Sequence, residues 1–216
     1  MGNMTEESEK KAKVKRQDST GSKGGDSARQ LLLAPGPSRI LCAPSDSREY
    51  TAFLCSFCST YQTRHNDLDF NDIGLPEVRS LVQHIKQRNG SDNATIMARE
   101  IQVLMIICRS PSHKAMFVAN GGVQAVIGAL RRYAAYPDVQ VQGCKAMVNL
   151  GKGYQAKVIV GINGGLQSIV DAMGEHQGIV EVQEMGCWAI GSVVAAHQEN
   201  KSAAADCGAV EAVVEA

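Results

Sequence analysis

Asn120-Gly121-Gly122-Val123-Gln124 and Asn163-Gly164-Gly165-Leu166-Gln167 carry the same punctuation twice, 43 residues apart. The likeness extends outward at the same step. Lys114 pairs with Lys157, Val139 with Val182, Gln140 with Gln183, Gly143 with Gly186, Cys144 with Cys187 and Ala146 with Ala189. A third opening, Cys207-Gly208-Ala209-Val210-Glu211, stands 44 residues on from Gly164. A fixed period of this length marks a repeat array.

The apolar residues keep the register. Val123, Val126, Ile127 and Leu130 follow steps of three and four, as do Leu166, Ile169, Val170 and Met173. Val78, Leu81, Val82 and Ile85 expose a degenerate first copy, and Val210, Val213 and Val214 begin another. That spacing lines one helix face, and no alternating pattern competes with it. Helices are expected near 112–119, 123–134 and from Pro137 onward, then at 155–162, 165–176 and 179–195. The first copy predicts 76–88 and 94–109, with its two extra residues in Asn89-Gly90-Ser91-Asp92-Asn93. Pro137 has its backbone pre-shaped for a helix start. Gly143 and Gly186 fall mid-helix, where glycine costs up to about 1 kcal/mol against alanine. Their recurrence points to a close helix crossing that a side chain would block.

One such unit exposes an apolar face it cannot bury alone, and stacking on neighbours buries it. The expected fold is all-α, a curved α-solenoid of three-helix repeats with a disordered N-terminal tail. Residues 1–46, rich in Lys, Glu, Ser, Gly and Pro, are that tail. Residues 47–74 read as a capping helix and linker, and 75–216 as the repeat domain. The repeats fall near 75–111, 112–153, 154–196 and a partial 197–216. In 48–63, Tyr50, Phe53, Leu54, Phe57, Cys58 and Tyr61 form a helical stripe, and 64–74 reads as a loop.

Composition narrows the function. The 216 residues hold 22 basic and 22 acidic side chains, a net charge of +0, which excludes a globally basic nucleic-acid binder. Aromatics at 5% argue against a sheet-rich fold. Seven cysteines without an early apolar run suit a reduced cytoplasmic protein, with the nucleus as the alternative. No run of 18 apolar residues predicts a membrane span. Lys10, Lys11, Lys13, Lys15 and Arg16 form a basic cluster, either an import or nucleic-acid signal or a solvated tail. Cys42, Cys55, Cys58 and His65 number four zinc-type ligands. Their spacing is irregular and the Cys pair lies in a helical stripe, so no metal is assigned. Gly151-Lys152-Gly153-Tyr154-Gln155-Ala156 fits a dinucleotide-binding pattern, but that motif needs a strand before it, and a helix is expected there. Arg131-Arg132 reads as a solvated helix terminus rather than a phosphate site.

The three-helix unit, the Gly-Gly or Gly-Ala opening of its second helix and its long third helix resemble the armadillo repeat family, over residues 75–216. The resemblance implies a right-handed α-solenoid, a binding surface without catalysis or cofactor, and a protein or peptide partner held in a concave groove lined by third helices. In peptide-binding members those helices carry a Trp and, four residues on, an Asn. The matching positions are Lys145 and Asn149, then Trp188 and Ser192, and in the degenerate unit Gln102 and Ile106. One Asn and one Trp are present, in different repeats. Independently of the family, residues four apart share a helix face. Trp188 suits a hot-spot anchor or packing between repeats; Asn149 suits a backbone-reading amide or a local cap near Gly151 and Gly153. The expected function is a non-enzymatic scaffold or adaptor. The alternatives are the end of a longer array, self-association through the C-terminal end, or a nuclear-transport or nucleic-acid role of the basic tail.

Overall fold

In the computed structural model, residues 48–61 and 73–216 are described; the basic cluster, Cys42 and His65 lie outside them. Among the described residues every regular element is helical. After α1 (Arg48–Tyr61) and α2 (Leu75–Gln87) comes a single 3-10 turn, Ser91–Asn93, and then α3 (Ala94–Ile107). Next come α4 (Pro111–Ala119), α5 (Gly122–Arg132) and α6 (Pro137–Leu150). The pattern returns in α7 (Tyr154–Ile162), α8 (Gly165–Glu175) and α9 (Val180–Val194), followed by α10 (Gln198–Asp206) and α11 (Ala209–Glu215).

The repeated residues do repeated jobs. Gly121, Gly164 and Gly208 hold φ of 80°, 66° and 77°, the left-handed turn that glycine adopts without strain. Just before the first two, the Asn120 and Asn163 side-chain amides each donate at 2.7 Å to a carbonyl of the ending helix, Met116 and Ile159. Gln140 donates to the Leu130 and Tyr133 carbonyls, and Gln183 to those of Met173 and His176. Each buried amide thereby satisfies the orphan carbonyls where α5 or α8 ends. Lys114 and Lys157 reach the C-terminal ends of α6 and α9, donating to the carbonyls of Asn149 and Ala195. A cation there also complements the helix dipole.

These helices stack in two rows. The longer helices α3, α6 and α9 lie side by side, with α1 packed on the outer flank of α3. The second row is α2, α5, α8 and α11. The apolar stripes meet between the rows, where Ile101, Val126, Val139, Cys144, Met147, Ile169 and Val193 are buried. The arginine pair at the end of α5 is not a merely solvated terminus. Arg131 donates forward to the Asn163 and Gly164 carbonyls and to Ser168 Oγ, while Arg132 donates back to the Ile85 carbonyl in α2. One helix end is thus tied to the units on both sides of it.

The mid-helix glycines mark a close crossing. A methyl on Gly143 would lie 2.4 Å from Leu130 Cδ2, and one on Gly186 2.5 Å from Met173 Cγ. Gly143→Ala is expected to destabilise the protein by about 1–3 kcal/mol, the usual range for overpacking. Gly186→Ala should cost less, because methionine has more rotamers with which to retreat. Urea unfolding of both variants checks the order.

Candidate partner-binding face

The long-helix row sets three pairs of positions in one register: Gln102 and Ile106 on α3, Lys145 and Asn149 on α6, Trp188 and Ser192 on α9. Four of these six line a single shallow depression of about 290 Å³ between α3 and α6, namely Gln102, Ile106, Lys145 and Asn149. Met105, Arg109 and Gln142 complete its wall. These three were not singled out from the sequence, although each stands three residues from a register position and so shares its helix face. A second depression, of about 210 Å³, continues it toward the helix starts, past Arg99, Asp138 and Glu181.

Each candidate residue has a definite setting. Trp188 does not pack between repeats: its side chain stands in solvent, 61% exposed. Lys145 forms an ion pair with Glu181 at 2.7 Å, which bridges α6 to α9 on this face. Both partners are substantially exposed, so the pair orients more than it stabilises. Asn149 Oδ1 accepts a hydrogen bond from Lys114 Nζ at 2.8 Å. Burial lowers the Lys114 amine from its usual value, with Lys152 adding to the effect and Cys108 opposing it. Ser192 is half-buried against the joint after α6, where a methyl on Gly151 would sit 3.2 Å from its Cβ. The structure therefore presents an exposed aromatic side chain at one end of the row and a charged, amide-lined depression at the other.

A second polar constellation lies in the interior. Glu100, wholly buried, receives two bonds from Arg88, Nε to Oε2 at 3.1 Å and Nη2 to Oε1 at 3.0 Å. Tyr50 donates to Glu100 Oε1 at 2.9 Å, and His84 Nδ1 stands 3.1 Å from the same Tyr50 hydroxyl. Burial pushes the Glu100 carboxyl above its usual range, and the Arg88 bonds and charge pull part of the way back. The cluster joins α1, α2 and α3 and opens on none of the depressions above, so its role is to fix α1.

His84 is lowered from its usual 6.5 by burial first and by Arg88 second. The unfolded chain then binds this proton more readily than the folded one, so stability rises with pH through this group. Its contribution is present above pH 6.5 and falls away as the pH drops toward the lower folded value. His84→Gln is expected to flatten the change in unfolding midpoint between about pH 7 and 5.

The cysteines give no metal site among the described residues. Cys55 is exposed while Cys58 is buried. Burial raises the Cys58 thiol to about 11 and those of Cys108 and Cys144 to about 12. Cys55 is therefore expected to alkylate in the native protein long before Cys108 and Cys144, which should react only on unfolding. Mass spectrometry after timed labelling reads this directly. The glycine pattern at 151–156 joins two helices: Gly151 ends α6 and Tyr154 opens α7, with no strand among the described residues.

No protein-family model, no curated protein and no solved structure matches this chain.

Proposed function

We propose that this protein is a non-enzymatic binding scaffold or adaptor of the armadillo type, a right-handed helical solenoid working in the cytoplasm. It takes a protein segment along the face of α3, α6 and α9. The observation that carries the proposal is Trp188, a large aromatic side chain 61% exposed on the register that the depression shares. Exposing an aromatic of that size gives up burial worth about 2–3 kcal/mol, a cost that a binding anchor repays. The depressions are open rather than enclosed, and their polar lining of Gln102, Gln142, Lys145 and Asn149 suits a peptide backbone. No cofactor is needed for this role.

The test is selection of peptides from a displayed library by the full chain, followed by titration against wild type and Trp188→Ala. Loss of affinity in a variant that folds as wild type supports the proposal; unchanged affinity for every selected peptide rejects it.

A second reading is favoured by α11, whose Val210, Val213 and Val214 are exposed. An apolar helix face of this kind suits self-association. Sedimentation of wild type beside Val214→Asp would show a concentration-dependent mass that the variant loses; a constant monomer mass would reject it.

A further inference from the structure

We infer that the chain carries a second ligand site, separate from the long-helix face, where α7 meets α10: a pocket for an apolar side chain of a partner peptide, with one buried N–H for that peptide's main-chain carbonyl. Three observations point there.

The first is a stripe. Tyr154, Val158 and Ile162 stand four residues apart on α7, so they share one face. Tyr154 is 74% and Ile162 78% exposed. The units on either side do without this bulk. Counted from the helix starts, the equivalents are Pro111, Ala115 and Ala119 in the unit before, and Gln198, Ser202 and Asp206 in the unit after. Stacking of the repeats therefore does not require large apolar residues at 158 and 162. The stripe spans nine residues, about 12 Å of helix from first to last, which is longer than one small ligand.

The second is a cavity of about 420 Å³ beside the stripe. Tyr154, Val158, Ile162 and Ala203 supply its apolar wall, and His197 and Glu199 line it as well.

The third is an unpaired donor. His197 is only 6% exposed, and its Nδ1 accepts from the Asn200 backbone N–H at 3.3 Å, capping α10. The ring proton therefore belongs on Nε2, which has no hydrogen-bond partner among the described residues. A buried donor left unpaired is costly, and a ligand acceptor would relieve that cost. The Tyr154 ring lies over the imidazole, centroids 5.4 Å apart, and its own exposure leaves it free to swing aside. Glu199, with Oε2 3.3 Å from Nδ1, sets the charge of the acceptor. Its carboxylate, 83% exposed and so partly screened, disfavours an anion there, which makes a neutral carbonyl the better fit. A neutral carbonyl beside an apolar side chain is what a peptide residue offers.

The test uses the full chain with N-acetyl-leucinamide and, for comparison, N-acetyl-leucine as the free acid. Nuclear magnetic resonance reads the His197 Nε2 signal and the Ile162 methyl groups. The amide is expected to move both saturably, and the free acid to bind about tenfold or more weakly. Ile162→Asp, at an exposed position, should abolish the response without loss of fold. His197→Ser keeps a capping side chain and should weaken the amide about tenfold. No saturable shift with the amide, equal binding of the acid, or an unchanged response in Ile162→Asp would overturn the site. So would a probe-free mass that doubles with concentration in wild type but not in Ile162→Asp, which would give the stripe to a second copy.

Discussion

Glu100→Ala is expected to destabilise the protein by about 3–5 kcal/mol, the largest single effect among the substitutions considered. The reason lies in what it strands. Arg88, itself nearly fully buried, would lose both carboxylate bonds, and the buried Tyr50 hydroxyl would lose the carboxylate it donates to. An uncompensated buried guanidinium costs far more than the net worth of the pair that held it. Removing both charges is a different matter. Arg88→Met with Glu100→Leu leaves no buried charge, and is expected to fall near wild type or above it. Equilibrium unfolding in urea of the single and double variants measures the contrast. A loss under about 1 kcal/mol for Glu100→Ala would show that water reaches the site, and that the network does not hold α1.

Trp188→Ala is expected to weaken a peptide bound along the long-helix face by about 30-fold or more, the effect of losing roughly 2 kcal/mol of hot-spot contact. The same change should move stability by no more than about 0.5 kcal/mol, because the side chain it removes is mostly in solvent. That separation makes it a cleaner probe than Asn149→Ala. Asn149 serves Lys114 as well as the face, so its loss would alter the end of α6 along with any binding. A binding titration and an unfolding curve on one Trp188→Ala preparation test both halves of the expectation.

The period was legible in the sequence because each repeated residue performs a local task. Asn120 and Asn163 close a helix, the glycines after them turn left-handed, and Gln140 and Gln183 satisfy helix-end carbonyls. Such jobs depend on neighbours within about ten residues, so they leave a pattern at fixed spacing. The Tyr50–Glu100–Arg88 cluster left none, since its partners are 50 and 12 residues apart and recur nowhere else in the chain. Glu100 stands beside Arg99 in the sequence, and nothing in its spacing marks it as a buried partner of Arg88 and Tyr50. The fate of Trp188 was equally hidden. Helical spacing placed it on the face of Ser192, but only the packing of α9 against α6 decides whether that face meets a neighbour or water. The bridging arginines of α5 looked like an ordinary helix terminus for the same reason: the carbonyls they meet belong to other units.

Trp188 is the only tryptophan in the chain, so its fluorescence reports on this one position of the face. The decisive measurement is acrylamide quenching of that fluorescence in the full chain, alone and saturated with a selected peptide. The account predicts efficient quenching in the free protein and several-fold protection in the complex. Weak quenching without peptide would mean that Trp188 is packed away, and equal quenching with and without it would place the partner elsewhere. Either result would contradict a binding face built on the long helices.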